Sequence, residues 1–135
     1  MNIVLWVLQV LLAAAFLAHA RLYLFPPAEM VAVMDAVIPA ALRKFIGVAE
    51  ALAAIGLTLP GITRIKPWLV PLSAAGLMIV MLGAISLHVS RGETSAAITT
   101  GTLFVLCTFV AYMRWRVRPI RSRTAQHSPD RTVEP

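Results

Sequence analysis

Four stretches of this chain are apolar over roughly the 20 residues that a helix needs to cross a bilayer. They run from about residue 3 to 24, 41 to 59, 68 to 88 and 96 to 115. Runs this apolar are predicted to be helices, because a helix satisfies its own backbone donors and acceptors where lipid offers none. Pro26-Pro27 stops the first run. Residues 28–38 then place Met30, Val33, Met34 and Val37 at helical spacing, with Glu29 in the first turn and Pro39 behind. That pattern predicts a short helix lying in the membrane interface or capping the bundle. The segment from Pro60-Gly61 to Pro67 and the turn Ser90-Arg91-Gly92-Glu93 are short polar connections, so successive spans are predicted to be antiparallel neighbours. The predicted fold is all-α: an integral membrane four-helix antiparallel bundle over residues 1–115, with a short interfacial helix between spans one and two. Trp68, Tyr112 and Trp115 stand at span ends, where aromatic rings favour the headgroup region. Residues 116–135 are rich in Arg, Ser, Thr and Pro, lack apolar periodicity, and are predicted to form a disordered tail. Ala18-His19-Ala20 has the small-x-small form of a signal-peptide cleavage site, but no Lys or Arg precedes the apolar run, so a retained span is expected.

Composition agrees with this pattern. Of 135 residues, 59% are hydrophobic and only 13% charged, with a mean hydropathy of +0.82; soluble domains carry about 25% charged residues. Four spans leave no room for a separate soluble domain. The net charge of +6 raises the question of nucleic acid. Six of the 12 basic residues (Arg114, Arg116, Arg118, Arg121, Arg123, Arg131) follow the last apolar run, however, which is the pattern of an orientation signal and of an anchor on anionic lipid. Together with Arg64 and Lys66 they outweigh Arg21, Arg43, Lys44 and Arg91 on the opposite side, so both termini are expected in the cytoplasm. Nucleic-acid binding has no support. Cys107 is the only cysteine, which excludes an intrachain disulfide, a CxxC redox pair and a thiolate metal cluster.

Glu50 lies inside the second span, and a carboxylate there is costly unless it meets a cation, a donor, water or a ligand. Its helical face reads Arg43, Gly47, Glu50, Ala54, so small residues flank the carboxylate and let a neighbouring helix or a ligand approach. With the termini inside, Glu50 sits about 12 Å below the outer end of its span, and His88, His19 and Arg21 fall near the outer ends of theirs. Arg43, Arg21 and His88 are the expected structural partners of Glu50. His19 and Arg21 are two residues apart and point to different sides of span one, so they cannot both face it closely. His88 can donate, accept or carry a proton near neutral pH, and a Glu and a His on adjacent spans could exchange protons with a quinone headgroup. No spacing supports a metal site, and no glycine-rich phosphate loop, Ser/His/Asp order or paired-carboxylate motif is present. The sequence therefore indicates no metal and no intrinsic cofactor, and any redox chemistry would need a borrowed one such as quinone.

The stretches NIVLWVLQVLLAAAFL, RKFIGVAEALAAIGLTLPGITRIKPWLVPLSAAGLMIVMLGAISLHVSRGE and FVAYMRW resemble the DoxX-like family of small four-helix bacterial membrane proteins. The resemblance covers most of residues 2–115 and rests on an FIGxxE pattern carrying Glu50, a GLxLP turn, and an MxGAIxxH pattern carrying Met81, Gly83, Ala84 and His88. It implies four spans and a bacterial inner (plasma) membrane location. One member of the family resembles the small membrane subunit of a thiosulfate:quinone oxidoreductase, while most have no assigned activity. Two positions depart from the pattern: Arg21 stands where an AGxxK segment has lysine, and Thr99-Thr100-Gly101 stands where an Asn often opens span four. The implied function is a small membrane subunit of a quinone-linked redox complex, docked to a redox partner protein and without an autonomous catalytic motif. The alternative is a non-catalytic scaffold or assembly factor in which Glu50 is structural. Alanine- and glycine-rich faces leave a homo-oligomer open.

Overall fold

The computed structural model describes residues 2–123. Its elements are α1 (Asn2–Leu24), α2 (Ala28–Val37), α3 (Ala40–Thr63), α4 (Leu69–Ser90) and α5 (Thr94–Tyr112), with α5 running on into a π-helical turn, Met113–Val117. The four long helices form an all-α bundle, with no strand among the described residues. At 22 to 24 residues each, counting the π turn with α5, they reach about 33–36 Å at 1.5 Å per residue, enough to cross a hydrocarbon core of about 30 Å. Polarity is inverted relative to a soluble protein. Ile3, Val7, Leu52, Ile55, Ile79, Leu82, Ile98 and Val105 face outward, whereas Gln9, Arg43, Glu50, Thr100 and Arg114 are buried. Exposed apolar surface of this extent needs an apolar surrounding. The chain is a multi-pass membrane protein in a lipid bilayer.

α1 packs mainly on α3, α3 on α4, and α4 on α5, while α1 and α5 meet more sparingly. The core lies in the middle and toward the end that holds the termini of α1 and α5: Leu12, Phe16, Leu57, Leu77, Cys107 and Val110 are all buried. Two glycines on α3 let α1 come close. A Cβ on Gly47 would lie 2.9 Å from Leu24 Cγ, and one on Gly61 would lie 2.8 Å from Trp6 Cη2, so the α1–α3 crossing fits only hydrogen at both positions.

The structure departs from the sequence expectation at several ends. α3 does not stop at Pro60 but runs through it to Thr63, forgoing one backbone bond near the helix end, and closes on Arg64 in the left-handed conformation (φ 57°). A proline this close to a C-terminus disturbs only the last turn, so the helix persists. The π turn carries Arg114 inward, not out toward lipid headgroups as expected. Its Nε donates to Gln9 Oε1 (2.6 Å), its Nη1 to Asn2 Oδ1 (2.9 Å), and its guanidinium lies 5.3 Å from the Trp6 ring centroid. The first residues of the expected tail are also in contact with the bundle: Ile120 approaches Gly61, and the Arg123 N–H donates to the Arg64 carbonyl (3.2 Å). The rest of that tail, including Arg131, lies outside the described residues.

Candidate functional site

Glu50 is fully buried on the α3 stripe Arg43, Gly47, Glu50, Ala54, Leu57, Gly61. The stripe recurs at three and four residues, and every member faces α1 or the bundle interior. Because Gly47 lets the last turns of α1 lie against α3, His19 of α1 reaches Glu50, with Tyr23 a turn further along the same face. His19 Nδ1 is 2.7 Å from Glu50 Oε2, and the His19 and Tyr23 rings lie 4.3 Å apart, centroid to centroid. The other carboxylate oxygen, Glu50 Oε1, is buried and has no hydrogen-bond partner among the described residues.

The partner of Glu50 is therefore His19, not Arg43, Arg21 or His88. Arg43 starts two turns from Glu50, and the end of α1 intervenes: its Nη1 donates to the Tyr23 carbonyl (2.6 Å) and its Nε to Asp35 Oδ1 (3.1 Å). Arg21 is exposed, two residues from His19 on the other side of α1. His88 points its Nδ1 to Glu93 Oε2 (2.6 Å), and Arg91 Nε donates to Glu93 Oε1 (2.7 Å). Those two hydrogen bonds, Arg91's first and His88's second, hold the Glu93 carboxyl below its ordinary value.

A cavity of about 720 Å³ joins these groups. It occupies the half of the bundle away from the start of α1 and the end of α5 and draws its lining from all five helices: Phe16, His19 and Tyr23 of α1, Val37 of α2, Leu42, Ile46 and Glu50 of α3, Met81, Ala84 and His88 of α4, and Ala96, Thr99, Thr100 and Leu103 of α5. At the opposite end Arg114, Gln9 and Asn2 tie α5 to α1. The helices are thus drawn together at one end, and the space between them lies at the other. Most of the wall is apolar, with Glu50, His19, Tyr23, His88, Thr99 and Thr100 as its polar points. Such a wall suits an apolar molecule with a small polar head. No group of three or more His, Cys, Asp or Glu side chains gathers among the described residues.

Sequence reasoning passed over Tyr23, Glu93 and Asp35, and named Thr100 only as a departure from the family pattern. Two of them carried a readable signal: Tyr23 follows His19 by one turn, and Glu93 follows His88 across a Gly92 turn (φ 70°). Thr100 is the one buried polar residue of α5 before the π turn, but it is one of several threonines along that helix. Asp35 finds Arg43 through the fold of the α2–α3 corner, which local spacing does not encode. Arg21 and Arg43, both named from the sequence, lie outside the cavity wall.

Residues 7–110 match the family model described as the DoxX-like family. No curated protein and no solved structure matches the chain.

Proposed function

The chain belongs to the DoxX-like family, and from that premise we propose that it is the small membrane subunit of a quinone-linked redox complex. In this reading the cavity takes the quinone headgroup, Glu50 is the proton acceptor, His19 holds Glu50 in place, and His88 relays protons at the outer mouth. The observation that carries it is the coincidence of a buried, half-satisfied carboxylate with the polar end of an apolar cavity. The volume of about 720 Å³ falls in the range of about 300–1,000 Å³ usual for small-molecule sites. The chain has one cysteine and no thiol pair, so the electrons of a quinol whose proton Glu50 accepts would pass to a docked redox partner. We place it in the bacterial inner membrane with both termini cytoplasmic, on the strength of the positive charge at that end.

A second reading, a non-catalytic scaffold, is favoured by one feature: the His19–Glu50 bond joins α1 to α3, and an interhelical clamp needs no ligand. The two readings separate in a thermal-shift titration of the purified protein in detergent with a short-chain quinone. A ligand that binds only the folded state at 100 times its Kd adds about 2.7 kcal/mol. Saturable stabilisation of the wild type that is lost in Glu50→Gln and in His88→Ala supports the site. An unresponsive wild type, with Glu50→Gln merely less stable, leaves the scaffold.

A further inference from the structure

The polar atoms on the cavity wall have an uneven hydrogen-bond character. In the 2.7 Å contact between His19 Nδ1 and Glu50 Oε2, one atom must carry the shared proton. Whichever of the two carries it, Oε1 of Glu50 has lone pairs only, as long as the carboxyl holds no second proton there. That oxygen is buried without a partner among the described residues, so its lost hydration is not made good. The Thr100 hydroxyl donates to the Ala96 carbonyl (2.8 Å) and the Thr99 hydroxyl to the Ser95 carbonyl (3.1 Å), so each threonine turns its lone pairs, not its proton, to its other side. His88 gives Nδ1 to Glu93. Glu50, Thr99 and Thr100 thus each present an acceptor to the cavity, and the buried Glu50 Oε1 among them is unsatisfied.

We propose that the cavity takes its ligand in a hydrogen-bond-donating form, a lipophilic ring bearing hydroxyl groups, with one hydroxyl donating to Glu50 Oε1. Within the quinone reading on which this rests, the site prefers the reduced quinol, because an oxidised quinone presents carbonyl oxygens that can only accept. A carbonyl set against Oε1 would oppose two sets of lone pairs in an apolar surrounding and leave both unpaired. A hydroxyl in the same place satisfies the buried oxygen with a single bond.

The test is a binding titration under nitrogen, in detergent, with a decyl-tailed benzoquinone in its oxidised form and in its chemically reduced form. Protein fluorescence and thermal shift are both read. Wild type is expected to bind the reduced form at least about tenfold more tightly, the worth of one hydrogen bond to a charged or strongly polar group. In Glu50→Gln, where an amide stands in place of the carboxylate, binding of the reduced form should fall until the preference is gone. Thr100→Val keeps the shape of the wall and should leave most of the preference in place. If wild type binds both forms equally, or the oxidised one more tightly, the proposal is overturned while the quinone reading stands. If it binds neither, both fall. The deciding comparison is made on wild type and does not depend on how the variants fold.

Discussion

At the scale of single residues, the site is set by a missing side chain as much as by those present. Gly47 is where the end of α1 rests on α3, and it thereby fixes how far His19 reaches toward Glu50. In Gly47→Ala the new methyl would sit 2.9 Å from Leu24 Cγ and 3.1 Å from Tyr23 Cβ, so α1 must shift. Overpacking of this kind costs about 1–3 kcal/mol, offset by up to about 1 kcal/mol of helix propensity. The variant should unfold earlier in a denaturant titration in detergent and bind ligand less well than its stability alone explains. An equally stable Gly47→Ala with unchanged binding would show that α1 does not need the close approach. Glu93 offers a second residue-scale prediction. Its folded carboxyl titrates below the ordinary 4.5 because Arg91 and His88 donate to it. Whatever it contributes is therefore present above pH 4.5 and lost as the pH falls through its lower folded value. The melting temperatures of wild type and Glu93→Gln should differ at pH 7 and converge on acidification; a gap that widens in acid would contradict the assignment.

At the scale of elements, the bundle is fastened by a polar chain that crosses three helices: Arg114 of the π turn donates to Gln9 of α1, and Gln9 Nε2 donates to the Leu57 carbonyl of α3 (2.6 Å). Loss of either side chain strands the other in an apolar surrounding. Arg114→Leu or Gln9→Leu alone should cost about 2–4 kcal/mol, and the double variant should cost clearly less than the sum, because a pair removed together leaves less unpaired. Additive losses in equilibrium unfolding would mean that the two side chains do not act as a unit. The elements themselves were legible in the sequence, since span length and apolar content are local properties and the proline pairs and glycine turns mark their limits. The stripe Arg43, Gly47, Glu50, Ala54 was legible for the same reason, as helical period alone puts those residues on one face. Partners were not. Arg43 turns to Asp35 and Tyr23, and Glu50 to His19, because Gly47 seats α1 against that face, and the depth of a helix crossing is a property of two packed surfaces. Arg114 misled for a related reason. An arginine near a span end usually reaches for headgroups, and only the wider π turn, with Gln9 and Asn2 waiting on α1, carries it inward.

At the scale of the whole molecule, charge and space are divided between the two ends. The bond from Arg114 to Asn2 and that from the Arg123 N–H to the Arg64 carbonyl bring Arg64, Lys66, Arg114, Arg116, Arg118, Arg121 and Arg123 to one end. All four acidic residues among the described ones, Glu29, Asp35, Glu50 and Glu93, belong to the other half, with Arg21, Arg43, Lys44 and Arg91. One end is thus strongly basic and closed, and the other is charge-balanced and holds the cavity. By the proposed orientation the basic end faces the cytoplasm, where anionic lipid favours each exposed Lys or Arg by about 1 kcal/mol, and the cavity opens in the outer half of the membrane. The His88–Glu93 pair then lies between the cavity and the outer aqueous face. The native Cys107 is buried in the core, so a cysteine introduced elsewhere reports its own side. With a membrane-impermeant maleimide, Ser90→Cys should label on intact spheroplasts and Ser122→Cys only after lysis. The reverse pattern would turn the molecule over, direct the cavity to the cytoplasmic half, and make cytoplasmic water the partner in any proton exchange with Glu50.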